Sequence, residues 1–574
     1  MLLEAGETPA VPGKIGPGKL LVCVSSSFGK LASMQDAVST TSPVNSGGRA
    51  RFSGFATRLR SEAPSLTECG AALAAAALLI ISFPDFSLWP LAWIALVPLF
   101  FAIARRPRPG PSFFLGWLFG TVFFYGSCYW LTYSMIRFGG IPRGLAFLLL
   151  LPGAVLLGIF PAVFALVLAR AIQKWGTSAL FLAALLWPAL EWARLETTGQ
   201  LWNAVGYSQA YHPQLIQSAR WGGVYAVGSL LVFVNSAIAF SLLRRTKRAV
   251  ATSAVAVVLV SIATLTLNMS MSFSAGESTT PRDNDAVIVA IQPNVPMAIV
   301  KSDEELRTLT TRHFEMSESA LRQLPDTGKP RLVVWPESPM NFAYGGDSGL
   351  RDQLAAFAKA NHASVLLNSQ EVAPNDGIFN SALLINEQGS LVAQYDKIRL
   401  LPFGEYVPLP EWLPGVGLIR GIVGDFAPGT NYRLMPVGNV RAGVFICIES
   451  AYPSIARTFT NEGADVLINI SNDGYLGPTA VMRQHLANAV FRAVENGRPL
   501  LRVTNTGISA FITQAGEVRD STRGFSPEVR TWTVARSMNA PTFYTKHGDL
   551  FAVSCALLSL LIFGFSFKKR VTRG

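Results

Sequence analysis

Seven long apolar runs precede residue 280 of this 574-residue chain and an eighth follows residue 548. No other feature limits its fold as much. The runs lie at roughly 68–84, 87–104, 112–135, 144–170, 178–196, 223–243, 249–268 and 549–567. A helix needs about 20 apolar residues to cross a bilayer core. Inside that core only helices and closed barrels satisfy their own backbone groups. The first run is short and the fifth contains Glu191. Any one of them alone would also suit a buried soluble helix, but eight in one chain predict a polytopic α-helical membrane domain of about eight spans.

Charge sharpens this expectation. Only 15% of residues are charged and 50% are hydrophobic, whereas a soluble domain carries about 25% charged residues. That argues against a wholly soluble enzyme and against a nucleic-acid-binding tail protein. The formal charge is +12, and its distribution tells what it is for. Residues 281–548 hold 24 Lys and Arg against 26 Asp and Glu, a net of −2, and the rest of the chain has a net of +14.

The excess basic residues cluster at Arg49–Arg60, at Arg105, Arg106 and Arg108, and at Arg170 and Lys174. Further clusters follow at Arg244, Arg245, Lys247 and Arg248, and at Lys568, Lys569, Arg570 and Arg573. They fall on every second connection between the apolar runs. Basic loops stay on the cytoplasmic side, so both termini are expected there and the long polar segment outside. The chain then divides into a disordered cytoplasmic tail at 1–65, a seven-span transmembrane domain at 66–279, an extracytoplasmic domain at 280–548, an eighth span at 549–567 and a short cytoplasmic tail at 568–574. The first 65 residues do not read as a secretory signal, because Glu4 and Glu7 stand where a basic start belongs.

The outer segment alternates β-branched runs with amphipathic ones. Strands are expected in 286–293, 331–338, 363–370, 382–386, 443–450, 464–471 and 499–505, with helices over 303–324, 349–361, 450–462 and 478–497. Near-continuous apolar strands suit sheets buried on both faces, and strand–helix alternation predicts an α/β domain. Asn386–Gly389 reads as a hairpin turn between two strand-like runs. Chemistry in such folds gathers at strand C-terminal ends.

Reactive residues stand at those ends. Of five cysteines only Cys447 lies in the outer segment, so that segment has no internal disulfide partner for it. A buried free Cys most often acts as a small hydrophobe. Here, however, Glu337 closes 333-VVWPE-337, and Lys397 and Glu405 lie in 395-YDKIRLLPFGEYVP-408. A base, a cation and a thiol are the parts that acyl transfer requires.

The spaced set WPE, YDK…LPFGEYVP and CIES resembles the nitrilase superfamily, as do 471-SNDGYLG-477, 483-RQHLANAVFRAVENGRP-499 and 504-TNTG-507. With the apolar runs added, and with 187-WPALEWAR-194 and 206-GYSQ-209, the chain from about residue 65 is similar to the bacterial apolipoprotein N-acyltransferase family. That resemblance implies an αββα sandwich outside the membrane. It implies Glu337 as general base, Lys397 as oxyanion stabiliser, Cys447 as nucleophile, and Glu405 and Glu449 as supporting acidic positions. The family often has an aromatic residue where Ile448 stands and Trp where Ser302 stands.

The implied reaction is a two-step N-acyl transfer with no cofactor and no metal. A phospholipid, typically phosphatidylethanolamine, donates its sn-1 acyl chain to Cys447. The α-amino group of a diacylglyceryl-cysteine apolipoprotein then accepts the chain. The implied partners are membrane lipid and apolipoprotein, with no nucleic acid.

Residues 409–424, with Trp412, Leu413, Leu418 and Ile419, are apolar and Gly-rich. They suit a mobile lid dipping into the outer leaflet, or an ordinary buried loop. Glu191 and Arg194 are spaced for a local i,i+3 salt bridge. Rival readings are a membrane-tethered amidase or nitrile hydrolase, a transporter with an outer binding domain, and a papain-like Cys447–His485 pair.

Overall fold

The computed structural model describes residues 63–272, 285–297, 301–374, 377–408, 410, 412 and 426–567. The first 62 residues of the expected N-terminal tail and the C-terminal tail at 568–574 lie outside these. Each apolar run is helical. The main helices are α1 (Leu66–Ser82), α2 (Val97–Arg105), α3 (Pro109–Ser127), α4 (Leu131–Arg137), α5 (Arg143–Leu157), α6 (Ile159–Trp175), α7 (Ala183–Thr198), α8 (Ala219–Arg244) and α9 (Lys247–Ser272). A capping box starts α1: Ser65 Oγ accepts from Glu68 N–H at 3.3 Å, and the Glu68 carboxylate accepts from Ser65 N–H at 2.7 Å.

Among the described residues, Arg143–Trp175, Thr177–Thr198 and Ala219–Arg244 are long and apolar enough to cross a bilayer. A fourth is added if α3 and α4, bent by 52°, form one span. Leu66–Ser82, Trp89–Arg105 and Leu550–Ser566 are apolar but shorter. Helix length thus supports a helical membrane region but not a count of eight.

The third run, expected as one helix, is broken for a local reason. In a continuous helix the Ser127 carbonyl would accept from Leu131 N–H. Instead it accepts from Trp130 Nε1 and from Gln484 Nε2, both at 3.1 Å, while Leu131 N–H turns to the Cys128 carbonyl at 3.1 Å. Glu191 and Arg194 also depart from expectation, for they do not pair with each other. Glu191 accepts from Trp187 Nε1 at 2.9 Å and Val205 N–H at 2.7 Å, and Arg194 donates to the Gln200 and Trp202 carbonyls at 3.0 Å. Free carbonyls and N–H groups left where the chain exits α7 draw the two side chains apart.

The outer segment forms two six-stranded sheets. One has the order β12-β1-β2-β3-β4-β5, built from β1 (Ala286–Gln292), β2 (Arg331–Val334), β3 (Ser364–Val372), β4 (Ile378–Ile385), β5 (Leu391–Asp396) and β12 (Glu528–Val534). The other has the order β11-β10-β9-β8-β7-β6, from β6 (Leu434–Val437), β7 (Val440–Ile446), β8 (Val466–Ser471), β9 (Leu500–Thr504), β10 (Ala510–Ile512) and β11 (Val518–Arg519). In both sheets the central strands are parallel and the flanking pairs antiparallel.

Period-2 alternation divides the residues of each strand. Val289, Ile291, Val333 and Val365 pack with Leu350, Leu354 and Phe357 under α10 (Asp303–Arg322) and α11 (Ser348–Asn361). Ile288, Ala290, Leu332 and Leu366 join the core that also holds Val444, Ile446, Ile468 and Leu501 of the second sheet. That sheet is covered in turn by α12 (Pro453–Asn461) and α13 (Val481–Asn496). The result is an α-β-β-α sandwich. Ser302, which stands where an aromatic was expected, caps α10 by accepting from Glu305 N–H at 3.2 Å.

Helix α13 is buried along nearly its whole length because it lies between the second sheet and the membrane helices. Gln484 accepts from Trp130 Nε1 at 3.0 Å and from Trp202 Nε1 at 2.9 Å, and donates to the Pro84 carbonyl at 3.0 Å. At its last turn, Glu495 accepts from Val224 N–H at 3.0 Å and from Arg492 Nη2 at 2.8 Å. Val224 begins the regular part of α8. The preceding Gly223 has φ +64°, and a side chain there would meet the Tyr544 ring at 2.7 Å. A carboxylate at a helix start is the favourable sign for the helix dipole. The last helix, α14 (Leu550–Ser566), returns to pack on α7 and α8.

Candidate active site

Glu337, Lys397 and Cys447 all follow the C-terminal ends of strands: β2 ends at Val334, β5 at Asp396 and β7 at Ile446. The strand expected to run to Ser450 stops earlier, because Cys447 takes φ +53° and opens a tight turn over Cys447–Ala451. A non-glycine residue in that conformation costs about 1–3 kcal/mol and needs its surroundings to hold it.

Those surroundings are specific. The Cys447 carbonyl accepts from Asn469 Nδ2 at 3.3 Å and from His485 Nε2 at 3.0 Å. Behind them, Asp473 lies 2.7 Å from His485 Nδ1 and accepts from Arg502 at 2.9 Å, and Arg502 also donates to Asn469 Oδ1 at 2.6 Å. Burial works against the Asp473 charge, yet Arg502 and His485 hold its carboxyl down at about 2. His485 therefore grips the backbone of Cys447 rather than its thiol, which is not the geometry of a papain-like pair.

Glu449 closes the turn from the other side. It accepts from Ile446 N–H at 2.8 Å, from Ile398 and Arg399 N–H at 2.8 and 3.0 Å, and from the Tyr395 hydroxyl at 2.8 Å. Burial pushes its carboxyl above the usual range, and the backbone donors oppose that rise. Two of these donors belong to the Lys397 loop, so Glu449 ties the nucleophile's turn in one sheet to the lysine's loop in the other.

Lys397 has only 1% of its side chain exposed. Its Nζ lies 2.9 Å from both carboxylate oxygens of Glu405 and 3.6 Å from Glu337 Oε1. Burial alone would lower its pKa, but the two carboxylates outweigh it and hold the ammonium above the ordinary lysine value. Glu405 is also anchored by Leu401 N–H at 2.7 Å.

One residue of this cluster had escaped the sequence reading. Asn380 of β4 donates through Nδ2 to Glu337 Oε1 at 3.0 Å and to Glu405 Oε1 at 2.7 Å. Asn368 Nδ2 in turn donates to Asn380 Oδ1 at 2.7 Å and sets the amide's orientation. The strand expected at 382–386 starts four residues earlier, at Ile378, and takes in Asn380.

Burial pushes the Cys447 thiol up, the Glu337 charge adds to the rise, and Lys397 pulls against it. A thiol so held is protonated at rest and needs a base beside it before it can attack. The lid candidates Leu413, Leu418 and Ile419 lie outside the described residues, whereas Trp412 is described and 79% exposed. Among the described residues no group of three His, Cys, Asp or Glu is placed to hold a metal ion.

Residues 75–237 match the apolipoprotein N-acyltransferase N-terminal domain, and residues 292–541 match carbon-nitrogen hydrolase. An apolipoprotein N-acyltransferase of Geobacter metallireducens is 32% identical over 502 residues, which cover 86% of this chain and 94% of that one. The chain belongs to the apolipoprotein N-acyltransferase family. A second member, from Rhizobium etli, is 30% identical over 470 residues, 78% of this chain and 86% of its own. Among solved structures, a carbon-nitrogen hydrolase from Helicobacter pylori is similar with a TM-score of 0.34 and 17% identity, over 50% of this chain and 96% of its own. Both halves of an apolipoprotein N-acyltransferase are thus present: the family's helical N-terminal domain falls on the apolar helices, and the carbon-nitrogen hydrolase part on the two-sheet sandwich.

Proposed function

We propose that this N-acyltransferase of lipoproteins works through a thioester on Cys447, with Glu337 as base and acid and Lys397 as oxyanion stabiliser. The observation that carries the reading is the buried Lys397 ammonium, 3.6 Å from Glu337 and joined through Glu449 to the turn that presents Cys447. In the first step Glu337 takes the thiol proton and the sulfur attacks the sn-1 ester carbonyl of a phospholipid, typically phosphatidylethanolamine. The Lys397 charge stabilises the oxyanion. As the ester C–O bond breaks, Glu337 returns the proton to the departing lysophospholipid oxygen. In the second step the α-amino group of a diacylglyceryl-cysteine apolipoprotein attacks the thioester. Glu337 accepts its proton and hands it to the leaving thiolate.

On this reading the chain crosses the membrane eight times, with both termini cytoplasmic and the domain at 280–548 on the periplasmic side. The alternation of basic clusters supports that orientation. Incubating the full chain with phosphatidylethanolamine and no acceptor should add one long-chain acyl group at Cys447, seen by intact-protein and peptide mass spectrometry. Steady release of free fatty acid with no adduct would favour the hydrolase reading instead.

We also propose that the segment 409–424 serves as a lid that admits acyl chains from the outer leaflet. The exposure of Trp412 supports this, since Trp favours the membrane interface. Changing Leu418 and Ile419 to Ser should slow turnover of membrane-borne phospholipid about ten-fold while sparing a short soluble thioester donor. Equal losses on both donors would reject the lid.

A further inference from the structure

Far in sequence from the catalytic residues, a groove of about 940 Å³ opens where α8 turns into α9. Its walls are apolar, with Val97 and Phe101 of α2 facing Leu242 and Val250 of the helical hairpin. Arg245, Thr246 and Lys247 line it as well. The turn is held in shape without any ligand. Arg245 takes φ +50° and its N–H closes α8 on the Ser241 carbonyl at 2.9 Å, and Ser241 Oγ donates to Ser253 Oγ of α9 at 2.9 Å.

Among the described residues neither of these two cations makes an ion pair. No Asp or Glu occurs in the sequence between Glu196 and Glu277. Glu68 of α1 is spent on its own helix cap and lies 3.9 Å from Arg108. Of the neighbouring basic residues, Arg244 is turned away toward Thr177, to which its Nε donates at 2.7 Å. Arg245 and Lys247 are left as the charges at an apolar slot.

We propose that this groove binds one anionic phospholipid, its phosphate at Arg245 and Lys247 and an acyl chain between α2 and the α8–α9 hairpin. Basic pockets between membrane helices hold anionic head groups in this way. A free phosphate ion would leave the apolar walls unfilled, and an uncharged lipid would leave the cations unpaired. The inference concerns a site apart from the acyl-transfer chemistry and does not depend on it. On the topology proposed above the groove opens to the inner leaflet.

The test uses the full chain in phosphatidylcholine nanodiscs containing a minor share of phosphatidylglycerol, with retained lipid counted by native mass spectrometry. The wild-type chain should keep one phosphatidylglycerol in preference to phosphatidylcholine. Each near-surface charge contributes about five-fold, so Arg245→Gln with Lys247→Gln should lower that preference about thirty-fold. Both side chains are exposed at a turn, so the fold tolerates the change. Val97→Trp, which fills the slot and keeps both cations, should also abolish retention, whereas Arg105→Gln with Arg248→Gln should not. Equal retention of the two lipids, full retention in either groove variant, or a matching loss in the Arg105/Arg248 variant would overturn the site. The last result would mean diffuse attraction to the basic cluster.

Discussion

Cys447→Ala should lower lipoprotein N-acylation by ~10⁴-fold or more and leave the chain folded. On the proposed mechanism the acyl chain travels on Cys447, and removing the nucleophile from a covalent mechanism leaves only what binding and oxyanion stabilisation supply. The variant should show no acyl adduct, since the long-chain group has nowhere else to attach. Cys447→Gly adds a second readout. Glycine enters the left-handed region without strain, so at φ +53° it should match or exceed the Ala variant in stability, by up to ~1 kcal/mol. It should be equally inactive. Residual N-acylation in either variant, measured with purified phospholipid and apolipoprotein, would sink Cys447 as nucleophile.

Lys397→Met should be the most damaging single change to stability and activity together. It would leave the Glu337 and Glu405 carboxylates facing each other through Asn380 with no cation between them. Removing one member of a buried charge cluster costs about 3–5 kcal/mol, and loss of an oxyanion donor costs ~10²–10³-fold in rate. The Lys397 pKa is raised by its partners, so its pairing stabilises the fold below the ordinary lysine value and fades only as pH rises beyond it. Thermal unfolding at neutral pH therefore reads the whole effect. Adding Glu405→Gln to the Met variant should recover much of the lost stability, because one of the two stranded charges is gone. It should recover no activity. A double variant that regains N-acylation would show that Lys397 serves the fold alone.

How much of this was legible beforehand follows the kind of force involved. The runs later found as β1, β2, β3, β8 and β9 announce themselves because strands buried on both faces must be apolar throughout. Short edge strands such as β6 and β11 carry no such pattern, since four residues and two are too few to show a period. Glu337 and Cys447 stood out as reactive types in expected strands, and Lys397 as one in a loop-like stretch. Asn380 did not, because an amide becomes informative only when two carboxylates converge on it. His485 drew attention as a partner for sulfur, and the fold instead sets it on a carbonyl, a choice made by backbone direction at one left-handed residue. The break between α3 and α4 was equally hidden. Gly126 stands beside it, but the Ser127 carbonyl is taken by Trp130 Nε1 and by a glutamine more than 350 positions away in sequence, which no local pattern announces.

The burial of α13 has a consequence for how this enzyme can be divided. One covering helix of the sandwich has no watery face to show. Excised from its partner helices, the outer half would present Gln484 without its two tryptophan donors and Glu495 without the α8 terminus it caps. A water-soluble version made by truncation alone would clump through that exposed surface. To cut the catalyst loose, an engineer must first redesign α13 as an amphipathic helix, with polar side chains where membrane helices now press.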